Sequence, residues 1–230
     1  MARIPLPPQA TETMSPAQLD RRARVLDAVV DLVAAGRLED MGMKDVADRS
    51  GVALGTIYRY FSSKDHVAAA ALLEWARVLD GQGASARSRR EEGGQRGQGG
   101  QRGQGGERRA GGGSRGVGTG SMTDRLVAIL RRAVRAYQRE PNFARLLILA
   151  ATSTDPFAGE CYREMGDSVY AALGAALDDL DPTERRRVLD VVGAVWYHAL
   201  VEWVNDRKTI AQVYEAVESA ARLVLAGYDN

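Results

Sequence analysis

Residues 44–64, KDVADRSGVALGTIYRYFSSK, predict two short helices joined by a sharp turn. The first helix turns Val46 inward, and Gly51 follows it at a point where a left-handed backbone conformation costs glycine little. In the second helix Ile57 and Phe61 lie four residues apart and share an inward face. This arrangement is typical of a helix-turn-helix that enters the major groove of DNA.

The second helix also has a polar outward face. The side chains predicted to point outward are Thr56, Tyr58, Arg59 and Tyr60. A hydroxyl, two phenols and a guanidinium suit hydrogen bonds to phosphates and base edges better than they suit a core. At the start of the helix, Leu54 and Gly55 let the backbone approach DNA closely. An ordinary three-helix core with a solvated polar surface is the alternative for these residues.

The next helix is predicted to begin at Ser62, its N-cap, with Asp65 three residues later in the position of a capping box. Lys64 would then lie in the first turn, where its charge opposes the helix dipole. This unfavourable placement suggests that an anion such as a phosphate lies nearby.

The segment VADRSGVALGTIYRYFSSKDHV, residues 46–67, resembles the DNA-binding signature of TetR-family transcriptional regulators. The resemblance covers residues 20–80 with specific motifs, and it covers the later helices by pattern only. It implies that the second helix is the recognition helix, whose Thr56, Tyr58 and Tyr60 contact phosphates and bases.

The same resemblance assigns a contact with the DNA backbone to Lys64. One position departs from the family pattern, because Met43 stands where the family often has a threonine that caps the first helix and touches phosphate. Lys44 is then the candidate for that contact. Two segments, AVWYHALVEWV at residues 194–204 and VADRSGVALGTIYRYF at residues 46–61, are similar to the actinobacterial repressors of steroid catabolism within the family. The candidate DNA-binding residues are Lys44, Leu54, Gly55, Thr56, Tyr58, Arg59, Tyr60 and Lys64.

Charge and cysteine content narrow the class of protein. The 31 Lys and Arg residues nearly balance the 30 Asp and Glu residues, so DNA contact must come from local arrangement and not from net charge. The single cysteine, Cys161, excludes an internal disulfide, and together with two distant histidines it leaves no metal-binding pattern. No signal peptide or membrane-spanning run is evident, so a cytoplasmic location is expected.

Helical periodicity recurs along the chain without strand-like alternation, so the predicted fold is all-α. The expected architecture is an N-terminal three-helix DNA-binding domain with a helix-turn-helix, followed by a C-terminal α-helical ligand-binding and dimerisation domain. Ser15 is predicted to cap the first helix and Gly36 to end it. The predicted helices cover residues 17–35, 45–50, 54–61, 63–79, 123–139, 142–151, 156–179, 182–206 and 210–225.

Two segments are expected to be disordered. Residues 1–17 carry four prolines without periodicity, and residues 81–121 hold 16 of the 25 glycines and eight arginines. We interpret the second segment as a passive insertion between a DNA-binding domain of residues 18–80 and an effector domain of residues 122–230. Weak nonspecific contact of its arginines with nucleic acid is the alternative.

The predicted helix of residues 182–206 carries apolar residues on more than one side, and the predicted helix of residues 210–225 carries one apolar stripe. A helix that is apolar on two sides is buried on two sides. One side would pack within the domain, and the other would pair with a second copy, which is also the dimer mode that the TetR resemblance implies. A monomer that buries both sides internally is the alternative. The candidate interface residues are Val188, Val192, Val195, Ala199, Trp203, Ile210, Val213, Val217 and Val224.

A cavity for an apolar small molecule is predicted among the helices of residues 123–206. Methionine and aromatic side chains suit a large apolar ligand, although each is also an ordinary core residue. The narrower resemblance to the repressors of steroid catabolism implies a sterol-derived or acyl-CoA effector, and no cofactor is expected. The candidate lining residues are Tyr137, Phe143, Met165, Tyr170, Trp196, Tyr197 and Leu200.

The predicted function is that of a ligand-released repressor that binds a palindromic operator in double-stranded DNA as a homodimer. An enzyme is disfavoured, because the sequence has no nucleophile motif, Cys–His pair, metal spacing or phosphate-binding loop. A helical protein-interaction module, or an activator without a small-molecule ligand, is the alternative.

Overall fold

The computed structural model describes residues 7–79 and 120–228. Throughout these two ranges the regular structure is helical and no strand occurs, which confirms the all-α prediction. Most of the insertion predicted for residues 81–121 lies outside the described residues. None of the described helices combines the length and apolarity that a membrane crossing requires. The described α-helices are α1 Pro16–Ala34, α2 Met43–Ser50, α3 Leu54–Tyr60, α4 Lys64–Leu79, α5 Met122–Arg139, α6 Pro141–Thr152, α7 Pro156–Gly174, α8 Pro182–Val204 and α9 Ile210–Leu225.

The ends of α1 follow the predicted signals. Pro16 takes the first helical position, where a missing N–H costs nothing, and the N–H of Ser15 donates to the Gln18 side chain at 2.8 Å. At the other end Gly36 has a φ of 78° and donates its N–H to the Val33 carbonyl. The left-handed conformation of Gly36 lets the chain turn away from the helix.

The structure places residues 7–17 in defined positions, so the disorder predicted for residues 1–17 is wrong for this part, and residues 1–6 lie outside the described residues. Thr11–Thr13 form a single 3-10 turn, and Met14 is buried in the core. The N–H of Gln9 donates to the carbonyl of Arg59, in the last turn of α3, at 2.9 Å. One apolar anchor and one backbone hydrogen bond thus hold a segment whose proline content suggested disorder.

Helix α4 is shared between the two halves of the molecule. It packs against α1 on one side and against α6 and α7 on the other. Four consecutive alanines, Ala68 to Ala71, are buried, because α4 has neighbours on several sides. Their small side chains let the surrounding helices approach α4 closely.

The helices of the C-terminal half differ from prediction mainly at their ends. Helix α7 stops at Gly174 and not at residue 179, and a 3-10 turn, Ala175–Leu177, follows it. The Arg185 side chain donates to the carbonyls of Leu177 and Leu180, each at 3.0 Å, and so stabilises this irregular turn. Helix α8 ends two residues earlier than predicted, at Val204. Helix α9 has the predicted bounds and packs on both α8 and α5.

Candidate DNA-binding surface and its link to the C-terminal domain

Helices α2 and α3 form the predicted helix-turn-helix. Gly51 has a φ of 64° and donates its N–H to the Ala47 carbonyl at 3.0 Å, which closes α2 with a left-handed residue. Val46 and Ile57 have no exposed surface and hold the pair of helices against the core. From α1, the Arg24 guanidinium donates to the Ser50 carbonyl at 3.2 Å and braces the turn.

Helix α2 begins at Met43, two residues earlier than predicted, because Asp45 supplies the missing cap. Its carboxylate accepts the N–H of Gly42 at 2.8 Å. This hydrogen bond, assisted by the nearby charge of Arg37, lowers the pKa of Asp45. Lys44, the residue after Met43, is exposed in the first turn of α2. Lys44 is therefore free to reach a phosphate without disturbing the cap.

The outer face of α3 leaves backbone and side chains open to a ligand. Tyr58 is 51% exposed and Leu54 is 40% exposed. Arg59 and Gly55 are also exposed, whereas Thr56 is half-buried. No atom lies within 4 Å of the point where a Cβ of Gly55 would stand, so this face of α3 has open space for an approaching backbone.

The predicted outward orientation of Tyr60 is wrong, since this side chain is only 3% exposed. Tyr60 follows Ile57 by three residues and therefore lies on the same buried face of α3. The helix ends at Tyr60, and Phe61 has an extended backbone with φ of −135°. Phe61 is still buried, but it is buried because the backbone becomes extended there and not because it follows Ile57 by four helical residues.

The cap of α4 is Ser63 and not Ser62. The Ser63 hydroxyl accepts the N–H of His66 at 3.1 Å, as an N-cap side chain does. Asp65 does not reach back along its own helix, because its carboxylate accepts the hydroxyl of Ser153 at 2.7 Å. Lys64 is half-buried in the first turn, and its ammonium lies 3.4 Å from the Glu39 carbonyl.

A cluster of hydrogen bonds joins the start of α4 to the start of α7. We call it the Ser–Asp junction, and it consists of Ser62, Ser63 and Asp155. Both hydroxyls donate to one oxygen of the Asp155 carboxylate, at 2.8 Å and 2.5 Å. The other carboxylate oxygen accepts the N–H groups of Phe157 and Ala158 and caps α7. One carboxylate therefore connects the residues that directly follow α3 to a helix of the C-terminal domain.

The charge of Asp155 is stabilised by these partners. Burial alone would raise its pKa, but hydrogen bonds from Ser63, Ser62 and the two backbone N–H groups outweigh burial and lower the pKa. The carboxylate is consequently ionised near neutral pH. Sequence reasoning missed this junction, since Asp155 lies more than 90 positions from its serine partners.

His66 fills the space behind the junction in its neutral form. Its ring lies edge-on to Phe61 at 5.2 Å between ring centroids and is stacked on Phe157 at 5.6 Å. The unprotonated Nδ1 accepts the N–H of Ser62 at 3.1 Å. Burial lowers the pKa of His66 to about 4, although the charge of Asp155 acts in the opposite direction. The histidine therefore packs as an aromatic core residue and links α4 to α7.

The candidate effector residues lie in different surroundings. Tyr137, Phe143, Met165 and Leu200 are buried, whereas Tyr170, Trp196 and Tyr197 are half-buried. Trp75 of α4, which was not among the candidates, stacks on Phe143 at 4.4 Å and contacts Tyr137 at 5.3 Å. Tyr137 in turn meets Trp196 edge-on. Tyr170 faces another way, with its hydroxyl donating to Asp190 at 2.6 Å.

The predicted dimer interface is wrong for five of its nine residues, because a side chain buried within one chain cannot contact a second copy. The buried five are Val188, Val192, Ala199, Val213 and Val217. The other four, which are Val195, Trp203, Ile210 and Val224, are half-buried. Two large apolar side chains of α8 and α9 are exposed, Val191 at 49% and Leu223 at 78%.

Two family models match this chain in succession. The first, described as bacterial regulatory proteins of the tetR family, matches residues 25–71 and so includes the helix-turn-helix. The second, described as a tetracyclin repressor-like C-terminal domain, matches residues 119–224. The two matches therefore fall on the two halves that the structure describes.

The chain is similar to curated relatives and to solved structures over most of its length. The HTH-type transcriptional repressor KstR of Rhodococcus jostii is 29% identical, over 92% of this chain and 85% of the relative. KstR of Mycolicibacterium smegmatis is 28% identical, over 94% of this chain and 92% of the relative. A TetR transcriptional regulator from Rhodococcus sp. RHA1 has a similar fold, with a TM-score of 0.64 and 23% identity over 92% of this chain and 99% of that one. FadR from Bacillus subtilis, solved in complex with stearoyl-CoA, gives a TM-score of 0.55 and 16% identity over 89% of this chain and 98% of that one.

Proposed function

Because this chain belongs to the TetR family of bacterial regulatory proteins, we propose that it represses transcription by binding operator DNA as a homodimer and leaves the DNA when a small molecule binds its C-terminal domain. The observation that carries this proposal is the exposed outer face of α3. Tyr58 and Arg59 project from a short helix whose other face is fixed in the core. A recognition helix needs such a rigid support.

Contacts with DNA divide by their chemistry. Arg59, Tyr58 and Thr56 supply donors for base edges and phosphates from α3 itself. Lys44 and Lys64 stand at the first turns of α2 and α4, and they fit sequence-independent contacts with phosphate. Tyr60 is assigned no base contact, because its ring is buried.

Two copies of α3 are needed to read an operator. One short helix covers few base pairs, and a two-fold axis doubles the number of contacts on a palindromic site. Val191 of α8 and Leu223 of α9 are exposed apolar side chains, and we place both on the surface that a second copy would cover. We assign the dimer interface to this surface and not to the buried stripe.

The Ser–Asp junction gives an effector a route to the DNA. A ligand among α5 to α8 would shift α7, and Asp155 would carry that shift to Ser62 and Ser63, which lie between α3 and α4. A coupling of about 1–3 kcal/mol between the two sites would lower operator affinity by roughly 5- to 150-fold. The two recognition helices would then no longer match the spacing of the two half-sites in the operator.

The effector class is tested with matched ligands. A steroid-derived acyl-CoA thioester, stearoyl-CoA and free CoA are each added to the protein bound to a fluorescent operator duplex. We expect an acyl-CoA to release the duplex and free CoA to leave it bound, since the proposed cavity is apolar. A thioester that binds the protein without altering operator affinity would contradict the proposed regulation, and it would leave DNA binding intact.

A further inference from the structure

The recognition helix α3 is short, and its last turn needs a partner from outside the helix. It spans 7 residues, Leu54–Tyr60, and the backbone becomes extended at Phe61. In a continuous α-helix the carbonyl of Arg59 would accept the N–H of Ser63, but α3 has ended before that residue. The carbonyl is therefore left without a donor from its own helix. A short helix depends on tertiary contacts of this kind for its stability.

The N-terminal segment supplies the missing donor. We call residues 7–14 the N-terminal strap. The N–H of Gln9 donates to the Arg59 carbonyl at 2.9 Å, so the strap closes α3 at the residue to which a base contact is assigned above. Met14 anchors the other end of the strap, because its side chain is buried in the core.

Further hydrogen bonds fix the strap relative to α1. The side-chain oxygen of Gln18 accepts the N–H of Ser15 at 2.8 Å, and its side-chain nitrogen donates to the side-chain oxygen of Gln9 at 3.2 Å. Within the strap, the hydroxyl of Thr13 donates to the carbonyl of Ala10 at 2.8 Å. Gln9 is thus held from two sides, by its backbone toward α3 and by its side chain toward α1.

We propose that the N-terminal strap positions the recognition helix for operator reading, and that the N–H of Gln9 fixes the direction in which Arg59 leaves α3. Arg59 is exposed, so its side chain takes its direction from the backbone. A held carbonyl fixes the peptide plane that follows Arg59. Contact of a guanidinium with a base edge needs one defined direction, which a loose helix end does not provide. This inference rests on the proposed function, because it concerns the base contact assigned there to Arg59.

The test compares Gln9→Pro with Ala10→Pro in the full chain. Proline has no N–H, so Gln9→Pro deletes the bond to Arg59. Ala10→Pro is the matched control, because Ala10 already has a φ of −63° and its N–H donates to no described residue. Fluorescence anisotropy measures affinity for the operator and for a duplex of unrelated sequence. We expect Gln9→Pro to lower operator affinity by about three- to tenfold. Nonspecific affinity and its salt dependence should stay unchanged, since Lys44 and Lys64 are unaltered, and Ala10→Pro should change neither affinity.

A double-mutant cycle separates positioning from general support of the fold. In the Arg59→Ala background, Gln9→Pro should change operator affinity by less than about twofold, because the side chain that the strap directs is gone. A loss of the same size in both backgrounds, or no loss when Arg59 is present, would overturn the inference and leave the proposed function intact. If Arg59→Ala itself keeps full operator affinity, the base contact of the proposed function fails, and this inference falls with it.

Amide hydrogen exchange tests the contact in the unaltered protein, and so it does not depend on whether a variant folds. The amide of Gln9 should exchange at least about tenfold more slowly than its intrinsic rate, because it is bonded to Arg59. The amide of Ala10, which is exposed, should exchange near its intrinsic rate. Exchange of both amides near their intrinsic rates would show that the strap is not fixed on α3 and would overturn the inference.

Discussion

Replacing Asp155 with serine separates the two roles of its carboxylate. Serine still caps α7, because serine and aspartate are comparable N-caps. Its shorter side chain does not reach the hydroxyls of Ser62 and Ser63, which donate to Asp155 at 2.8 Å and 2.5 Å. Each of these bonds contributes about 1 kcal/mol at a half-buried site, so Asp155→Ser should lower the free energy of unfolding by about 2 kcal/mol. Asp155→Ala also removes the cap and should cost roughly 1 kcal/mol more.

Urea unfolding at a fixed protein concentration measures these losses. A double-mutant cycle with Ser63→Ala and Asp155→Ser isolates the bond between the two side chains, and we expect a coupling free energy of about 1 kcal/mol. Strictly additive losses would show that the Ser63 and Asp155 side chains are not coupled and would contradict this prediction. The same variants test regulation, since Asp155→Ser should keep its operator affinity and respond less to the effector. An unaltered response would show that the signal takes another path.

Three further predictions concern DNA, pairing and pH. Arg59→Ala should lower specific operator affinity by about 1–3 kcal/mol, whereas Lys44→Gln should weaken all DNA binding equally and reduce the salt slope by about one; fluorescence anisotropy at several salt concentrations separates the two effects. Leu223→Asp should convert a dimer into a monomer in analytical ultracentrifugation, and Val169→Asp, on an exposed apolar residue of α7, is the control that should not. The free energy of unfolding should fall by up to about 3 kcal/mol between pH 6.5 and pH 4. In this range the histidine is protonated in the unfolded chain but stays neutral in the folded protein, where the pKa of His66 is about 4. His66→Asn, whose amide oxygen can replace Nδ1 as acceptor for Ser62, should flatten this pH dependence in chemical unfolding, and an unchanged slope would assign it to other groups.

Local signals in the sequence were sufficient to predict the positions of most helices and turns. Gly36 and Gly51 occupy positions with positive φ, which glycine adopts readily. Pro182 begins α8, because its fixed φ suits the first helical position, where no N–H is needed. The orientation predicted for Tyr60 was wrong because Tyr60 and Phe61, three and four positions after Ile57, can both lie on the buried face of α3. The position at which α3 ends determines which of them does so as a helical residue. A helix end is the least certain feature of a helical pattern.

Contacts between distant residues could not be derived from periodicity. The apolar lines of α8 and α9 predict burial, but they do not say whether the partner helix belongs to the same chain or to a second copy. Val192 and Val217 proved to be core, and the exposed Leu223 was not singled out. The Ser–Asp junction likewise depends on how α4 and α7 are brought together.

The most direct test is a titration of the purified protein against the intergenic DNA beside its own gene. Two salt concentrations and an excess of nonspecific competitor separate specific from nonspecific binding. We expect competitor-resistant binding of a dimer to a palindrome, and we expect this binding to be lost when Tyr58→Ala and Arg59→Ala alter the outer face of α3 in a folded protein. Binding that the competitor removes, or that survives the altered α3, would contradict the claim that this helix reads an operator.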